Sequence, residues 1–132
     1  PSNHFHCIWV HRPQMQWKWL EGGDETHPYR SRVYDSIRQL ILLRRSLPAL
    51  AGQSPELFST DASSVLGYVR QNLGNRLIVL ANFSEQTASI PANRLRISGV
   101  GRFFEDAITG SILSTSSPIQ LAPYQFYWLK RA

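Results

Sequence analysis

The sequence has 132 residues, of which 42% are hydrophobic, 11% aromatic and 17% charged, and its formal net charge is +5. This length suits one domain, and the apolar content supports a packed core and excludes a disordered chain. The 14 Lys and Arg residues are scattered singly or in pairs, which argues against a nucleic-acid-binding tract.

The sequence gives few signals for the cellular compartment of the protein. The single cysteine, Cys7, excludes an intrachain disulfide. No apolar run approaches the roughly 18–20 residues that a membrane helix needs, and no signal segment opens the sequence. We therefore expect a cytoplasmic protein. The sequence also starts without Met, which fits a piece of a longer protein.

Residues 1–28 are predicted to be irregular, and Gly22–Asp24 has the composition of a turn. Four side chains of the types that bind zinc lie in this segment: His4, His6, Cys7 and His11. Their spacing matches no common zinc-binding pattern, so we predict no metal site and no cofactor.

A helix is predicted over residues 29–47. Apolar residues recur there at spacings of three and four, on one helix face: Val33, Ile37, Leu40, Ile41 and Leu47. Pro28 suits a first helical turn, and Pro48 ends the helix because a proline disfavours the α conformation of the residue before it. Leu42 and Leu43 widen the apolar arc, so we expect the helix to pack on two sides.

From Glu56 onward the pattern predicts strands. Residues 65–70 alternate from one face to the other, and Asn72–Asn75 has the composition of a hairpin loop. Leu77–Ala81 is a continuous apolar run, as expected of a central strand buried on both faces. Shorter candidate strands follow at Thr87–Ile90, Gly101–Glu105, Ser111–Leu113, Ile119–Leu121 and Tyr124–Leu129.

These elements predict a mainly β fold. Short strands separated by turn residues are typical of an antiparallel sandwich. We expect a Greek-key-like β-sandwich, preceded by one long α-helix and an irregular N-terminal segment.

Three segments together resemble the C-terminal end of α-amylase superfamily enzymes. Leu40–Leu50 resembles the last helix of the (β/α)8 barrel, which typically reads L-I-x-L-R-x-x-x-P-A-L. Leu77–Ser84 resembles the apolar strand ending in N-F-S of the C-terminal β-domain. Leu121–Tyr124, followed by Trp128 and Leu129, resembles the closing strand of that domain.

This resemblance implies a division of the chain. Residues 1–50 would be the end of a barrel, its last loop and last helix, and residues 51–132 would be the C-terminal β-sandwich domain.

A narrower resemblance is to amylosucrases, glucosyltransferases that split sucrose and extend an α-1,4-glucan. Trp9–Pro13 resembles their R-W-V-H-R-P segment, and Val65–Arg70 and Asn82–Glu85 are similar to the same group. The first Arg of that segment, which helps to hold the sugar in amylosucrases, falls at Ile8, which has no guanidinium. No substrate-binding residue is therefore assigned, and the candidates that remain are Trp9, His11 and Arg12.

No catalytic residue is predicted. Retaining glycoside chemistry needs two carboxyl groups, a nucleophile and an acid/base, and in this superfamily they lie on barrel loops that precede the region resembled here. The adjacent pairs Asp24-Glu25 and Glu105-Asp106 are poor substitutes, because neighbouring residues of a strand point to opposite faces. We expect this chain by itself to be inactive.

The favoured interpretation is a non-catalytic C-terminal fragment of a glucosyltransferase or glycoside hydrolase that acts on sucrose or α-1,4-glucan. Its β-domain would have a structural role, and its partner would be the missing N-terminal (β/α)8 barrel. Pairing of two chains through the helix is a further expectation, and no nucleic-acid or membrane partner is expected. A stand-alone carbohydrate-binding module and a basic interaction domain remain as alternatives.

Overall fold

The structure is a computed structural model that describes Trp17 and residues 28–52, 54–97 and 102–132. The chain divides into two compact units, Pro1–Gln39 and Leu40–Ala132. The described part of the first unit consists of Trp17 and the beginning of helix α1 (Pro28–Ser46). The second unit contains the end of that helix and all the strands. The predicted irregular N-terminal segment lies outside the described residues.

Helix α1 confirms the helix that the periodicity predicted, with bounds shifted by one residue. Leu47 has extended dihedrals (φ −100°, ψ 103°), the conformation that is favoured before a proline, and Pro48 then begins a 3-10 helix, Pro48–Ala51. Four apolar side chains of α1 are exposed: Val33, Ile37, Ile41 and Leu42. Each of these side chains is more than half exposed, so α1 presents an apolar surface.

Eight strands follow, together with a second, short helix. They are β1 (Glu56–Leu57), β2 (Val65–Asn72), β3 (Asn75–Asn82), β4 (Ala88–Ile90), α2 (Ala92–Ile97), β5 (Phe103–Asp106), β6 (Ile112–Ser114), β7 (Ile119–Leu121) and β8 (Phe126–Arg131). A six-stranded sheet has the order β1-β2-β3-β8-β5-β6, and β4 pairs with β7 in a second sheet. Every pair is antiparallel, which confirms the predicted mainly β, antiparallel fold.

The hairpin between β2 and β3 confirms the predicted turn. Leu73 (φ 47°) and Gly74 (φ 80°) both have positive φ, as a two-residue type I′ turn requires. This turn sets a register in which Asn72 lies opposite Asn75 and Val65 lies opposite Asn82.

The main core lies on one face of the six-stranded sheet, called the inner face below. Ile78 and Leu80 of β3 pack there with residues of β4, β7 and α2, and Leu95 of α2 is fully buried. The opposite, outer face carries a smaller cluster in which Ala49 of the 3-10 helix packs on Leu77 and Val79. Strand β3 is thus buried on both faces from Leu77 to Leu80, as its continuous apolar run predicted.

Candidate functional site

Asp106 is a structural carboxylate. Its side chain is buried and accepts hydrogen bonds from the backbone N–H groups of Ile108, Thr109 and Trp128 and from the Thr109 hydroxyl, at 2.8–3.3 Å. These bonds close the turn after β5 and join it to β8. A carboxylate whose oxygens are committed in this way is unsuited to take part in proton transfer.

Glu105, the neighbour of Asp106, belongs to the other face of the sheet. The register places Glu105 opposite Lys130, and their side chains form an ion pair at 3.0 Å. Asp106 lies opposite the core residue Leu129. The two carboxylates therefore diverge, as alternation along a strand requires. The other adjacent pair, Asp24-Glu25, lies outside the described residues.

Asp61 lies in a shallow depression of about 500 Å³ that is lined by residues 57–63 and 65–67. Its backbone has positive φ (59°), and its carboxylate accepts a hydrogen bond from the Arg94 guanidinium. That bond, together with one from the Ser59 hydroxyl and the charge of Arg94, lowers the pKa of Asp61 against the opposing effect of desolvation. Asp61 is therefore ionised at neutral pH and unsuited to act as a general acid.

Two basic side chains of the second unit donate hydrogen bonds to backbone carbonyls. Arg70 donates from Nη2 to the carbonyls of Leu50 (3.1 Å) and Gly52 (2.7 Å), which fastens the 3-10 helix to β2. Arg96 of α2 donates to the Thr115 carbonyl. These cations stabilise the fold, so they add nothing to the case for a nucleic-acid surface.

Exposed apolar side chains collect at one end of the six-stranded sheet. Leu66 and Phe126 both lie opposite Ala81, one on each side, so the three residues form a row across the outer face. The exposed fraction is 43% for Leu66 and 41% for Phe126. Phe83 directly follows β3, Tyr124 precedes β8, and both are exposed. The register thus assembles an apolar surface at this end of the sheet.

Asn82 holds this end of the sheet together. Its buried side-chain amide donates to the carbonyls of Gln86 (2.7 Å) and Ala122 (2.9 Å), and its Oδ1 accepts bonds from the backbone N–H and the hydroxyl of Ser84. The loop after β3 is thereby tied to the loop before β8. The Tyr124 hydroxyl also donates to Glu85 at 3.3 Å.

The substrate-binding candidates of the sequence, Trp9, His11 and Arg12, lie outside the described residues, as do the possible zinc ligands of the N-terminal segment. Among the described residues, no group of three or more His, Cys, Asp or Glu side chains is placed to hold a metal ion. No helix in this part of the chain combines the length and apolar character needed to cross a bilayer.

The apolar end of the sheet was missed at the level of sequence. Phe83 and Tyr124 stood out there only through the segments that resemble the superfamily. The usable signal was the two-residue alternation of β3, which separates Leu77, Val79 and Ala81 from Ile78 and Leu80. The strand neighbours of Ala81, however, follow from the register alone.

The family of the maltogenic amylase C-terminal domain matches residues 56–128, which is more than half of the chain and runs from β1 into β8. The chain belongs to this family. It is the C-terminal region of an α-amylase superfamily enzyme, as the resemblance implied.

Solved structures show the same fold. AmyP in complex with maltotriose is 22% identical over 70% of this chain, with a TM-score of 0.58. A variant of MutB in complex with the substrate sucrose is 23% identical over 74% of this chain, also with a TM-score of 0.58. The chain spans 19% of the length of the AmyP chain and 17% of the length of the MutB chain.

Proposed function

We propose that this chain is the non-catalytic C-terminal part of an amylosucrase-like glucosyltransferase or glycoside hydrolase that acts on sucrose or α-1,4-glucan. The proposal rests on one observation: the chain belongs to the family of the maltogenic amylase C-terminal domain, yet it spans less than a fifth of the length of the AmyP and MutB chains. The larger, remaining part of the enzyme would contain the active site.

Three of the described carboxylates support this division of labour. Retaining chemistry needs a nucleophile and an acid/base about 5–5.5 Å apart on either side of the glycosidic bond. Asp106 is buried in a turn, Glu105 is paired with Lys130, and Asp61 is paired with Arg94. Each of these acids is committed to holding the fold.

The division at residue 50 belongs to the same proposal. Residues 1–50 would be the last loop and last helix of a (β/α)8 barrel, and residues 51–132 would be the β-domain. The exposed Val33 and Ile37 of α1 support this assignment, because an apolar stripe on a helix is normally covered by a packing partner.

The substrate class rests on the resemblance to amylosucrases and on the ligands of the solved structures. AmyP is bound to maltotriose and MutB to sucrose, and both ligands contain α-linked glucose. At identities of 22% and 23% these structures share a fold with the chain, so the choice between transfer and hydrolysis is a matter for experiment.

The test compares this chain with the whole enzyme encoded with its upstream segment. Both are incubated at equal molar concentration with sucrose, amylose and glycogen, and glucose, fructose and new glucan are measured. We expect turnover by the whole enzyme and none by the chain. From sucrose, a transferase yields glucan and fructose, whereas a hydrolase yields glucose and fructose in equal amounts.

Two results would contradict the proposal. One is turnover by the isolated chain that persists after repeated purification. The other is a coding sequence with no barrel-sized segment upstream of residue 1. Tight binding of α-glucan by the isolated chain, without turnover, would favour the carbohydrate-binding module.

A further inference from the structure

Three arginines of the second unit collect at the end of the six-stranded sheet where the β2–β3 hairpin turns. Continued by one residue, the register of β3 and β8 places Arg76 beside Arg131. Arg102 directly precedes β5, and its neighbour Phe103 accepts a backbone hydrogen bond of 3.4 Å from Ala132, the neighbour of Arg131. We call Arg76, Arg102 and Arg131 the arginine cluster.

The positive charge of the arginine cluster is not neutralised by the part of the chain that the structure describes. Within those residues, none of its three guanidinium groups forms a hydrogen bond or an ion pair. The strand partners of the cluster are Gln71 on β2 and Phe104 on β5, which are both uncharged. Glu105 is the closest acid along the chain, and its carboxylate is already paired with Lys130 at 3.0 Å.

An unneutralised cluster of this kind costs free energy in the folded state. Like charges on neighbouring positions of a sheet repel one another. Arg102 and Arg131 are exposed, whereas the Nε atom of Arg76 is buried and has no hydrogen-bond partner among the described residues. Because charges interact more strongly where water is partly excluded, the Arg76 guanidinium attracts an anion more strongly than an exposed one. An anion held by the three guanidinium groups would offset their repulsion.

The chemistry of the cluster favours a phosphate group among possible anions. Each guanidinium presents parallel N–H donors that match the oxygens of phosphate or carboxylate. A phosphate group has three acceptor oxygens and a charge of about −1.5 to −2 at pH 7, so it can engage three arginines, whereas a carboxylate has two oxygens and one charge. A nucleic acid would need a track of further cations, but Arg70 and Arg96 are bonded to backbone carbonyls.

The size of the recess at this end of the sheet also indicates a small ligand. Arg76, Lys130 and Arg131 border a recess of about 280 Å³. Pockets that enclose a drug-sized ligand measure about 300–1,000 Å³, so this recess is too small to enclose an oligosaccharide.

We propose that the arginine cluster is a binding site for a phosphate group, either the free ion or the phosphate ester of a small metabolite. The site lies wholly within the second unit, and it does not depend on the proposed function. Bound phosphate neutralises the cluster and joins the ends of β3 and β8 to the start of β5. Phosphate should therefore stabilise the β-domain.

An NMR titration of the 132-residue chain with inorganic phosphate tests this proposal, at an ionic strength held constant with NaCl. We expect the Nε–H signals of Arg76, Arg102 and Arg131 to shift together and to saturate. The dissociation constant should be about 1 mM or lower, which corresponds to two or three charge-assisted hydrogen bonds. Phosphate at ten times that concentration should raise the melting temperature by about 5 °C, because it binds only the folded state.

A matched pair of variants separates this site from a general effect of charge. Arg131→Gln should weaken phosphate binding at least about tenfold through the loss of one charge-assisted bond. Arg94→Gln removes the same charge, but Arg94 pairs with Asp61, which precedes β2 at the end opposite the hairpin. Its dissociation constant should change less than about twofold. Without phosphate, Arg131→Gln should melt no lower than the unsubstituted chain, because it relieves repulsion, so weaker binding cannot be ascribed to unfolding.

Titration with glucose 6-phosphate identifies the source of the phosphate group. Binding that is much tighter than that of inorganic phosphate would support a sugar phosphate, and equal affinity would support the free ion.

Three results would overturn the proposal. The first is the lack of any saturable response of the cluster to phosphate. The second is equal weakening by Arg131→Gln and Arg94→Gln, which would reduce the effect to net charge. The third is displacement of phosphate by a single-stranded oligonucleotide that binds far more tightly and with a steep dependence on salt, which would assign the cluster to a polyanion.

Discussion

Replacing Asn82 with Ala should destabilise the β-domain more than any other single polar truncation at the sheet end. The Asn82 amide donates to the carbonyls of Gln86 at 2.7 Å and Ala122 at 2.9 Å, and its Oδ1 accepts two bonds from Ser84. Only 3% of Asn82 is exposed, so water cannot easily replace the lost donor. Asn82 therefore joins the loop after β3 to the loop before β8, together with a backbone bond from the Tyr124 N–H to the Ser84 carbonyl at 3.2 Å.

The magnitude follows from the four hydrogen bonds of the Asn82 side chain that are lost, although the Gln86 and Ala122 carbonyls each keep a second donor, the Ser84 hydroxyl and the Gln125 N–H. A typical hydrogen bond contributes a net of about 0.5–1.5 kcal/mol, and all four bonds are partly buried, which places each loss in the lower half of that range. Asn82→Ala should therefore lower the free energy of unfolding by about 2–4 kcal/mol. That is a large share of the roughly 5–15 kcal/mol that stabilises a typical domain.

Urea denaturation of the 132-residue chain, followed by circular dichroism at 25 °C, measures this loss. With an m-value of about 2 kcal/mol per molar, the midpoint should fall by about 1–2 M while the slope stays unchanged. Asn75→Ala is the control, because Asn75 is exposed and makes one long bond, 3.3 Å, to the Leu73 carbonyl. Its midpoint should move little. A midpoint for Asn82→Ala within error of the Asn75→Ala midpoint would refute the reasoning.

Three further predictions follow from other parts of the chain. Gly67→Ala should cost about 1–3 kcal/mol in thermal unfolding, because an added Cβ would come within 2.5 Å of the buried Thr60 methyl carbon; an unchanged melting temperature would contradict that packing. Arg94 lowers the pKa of Asp61, so the stability that their ion pair contributes is fully present above the ordinary carboxyl pKa of 3.8 and is lost as pH falls through the lowered pKa. Asp61→Asn should remove this part of the decline in stability at acid pH, together with its dependence on salt. Unfolding midpoints measured from pH 6 down to pH 2 test this. Ile37→Glu should dissociate any dimer that forms through α1, and sedimentation across a concentration series that finds the unsubstituted chain monomeric throughout would exclude such pairing.

The sequence alone determined the elements whose signals are local. The period of α1 and its flanking prolines located the helix to within one residue. The apolar run from Leu77 predicted a strand buried on both faces, because only burial on both sides tolerates consecutive apolar residues. The composition of Asn72–Asn75 predicted the hairpin, since glycine readily takes the positive φ that the turn requires. Helix α2 was missed because six residues are too few to display a helical period.

Tertiary structure decided the rest, because the deciding contacts join residues far apart in sequence. Leu66 and Phe126 become neighbours of Ala81 only through the pairing of β3 with both β2 and β8. The role of Asn82 depends on the Ala122 carbonyl, 40 residues away. From residue types and spacing, the sequence predicted no catalytic carboxylate pair, and this stays a prediction. It could not show which face of the sheet stays uncovered, because exposure is a property of the packed surface and not of any one segment.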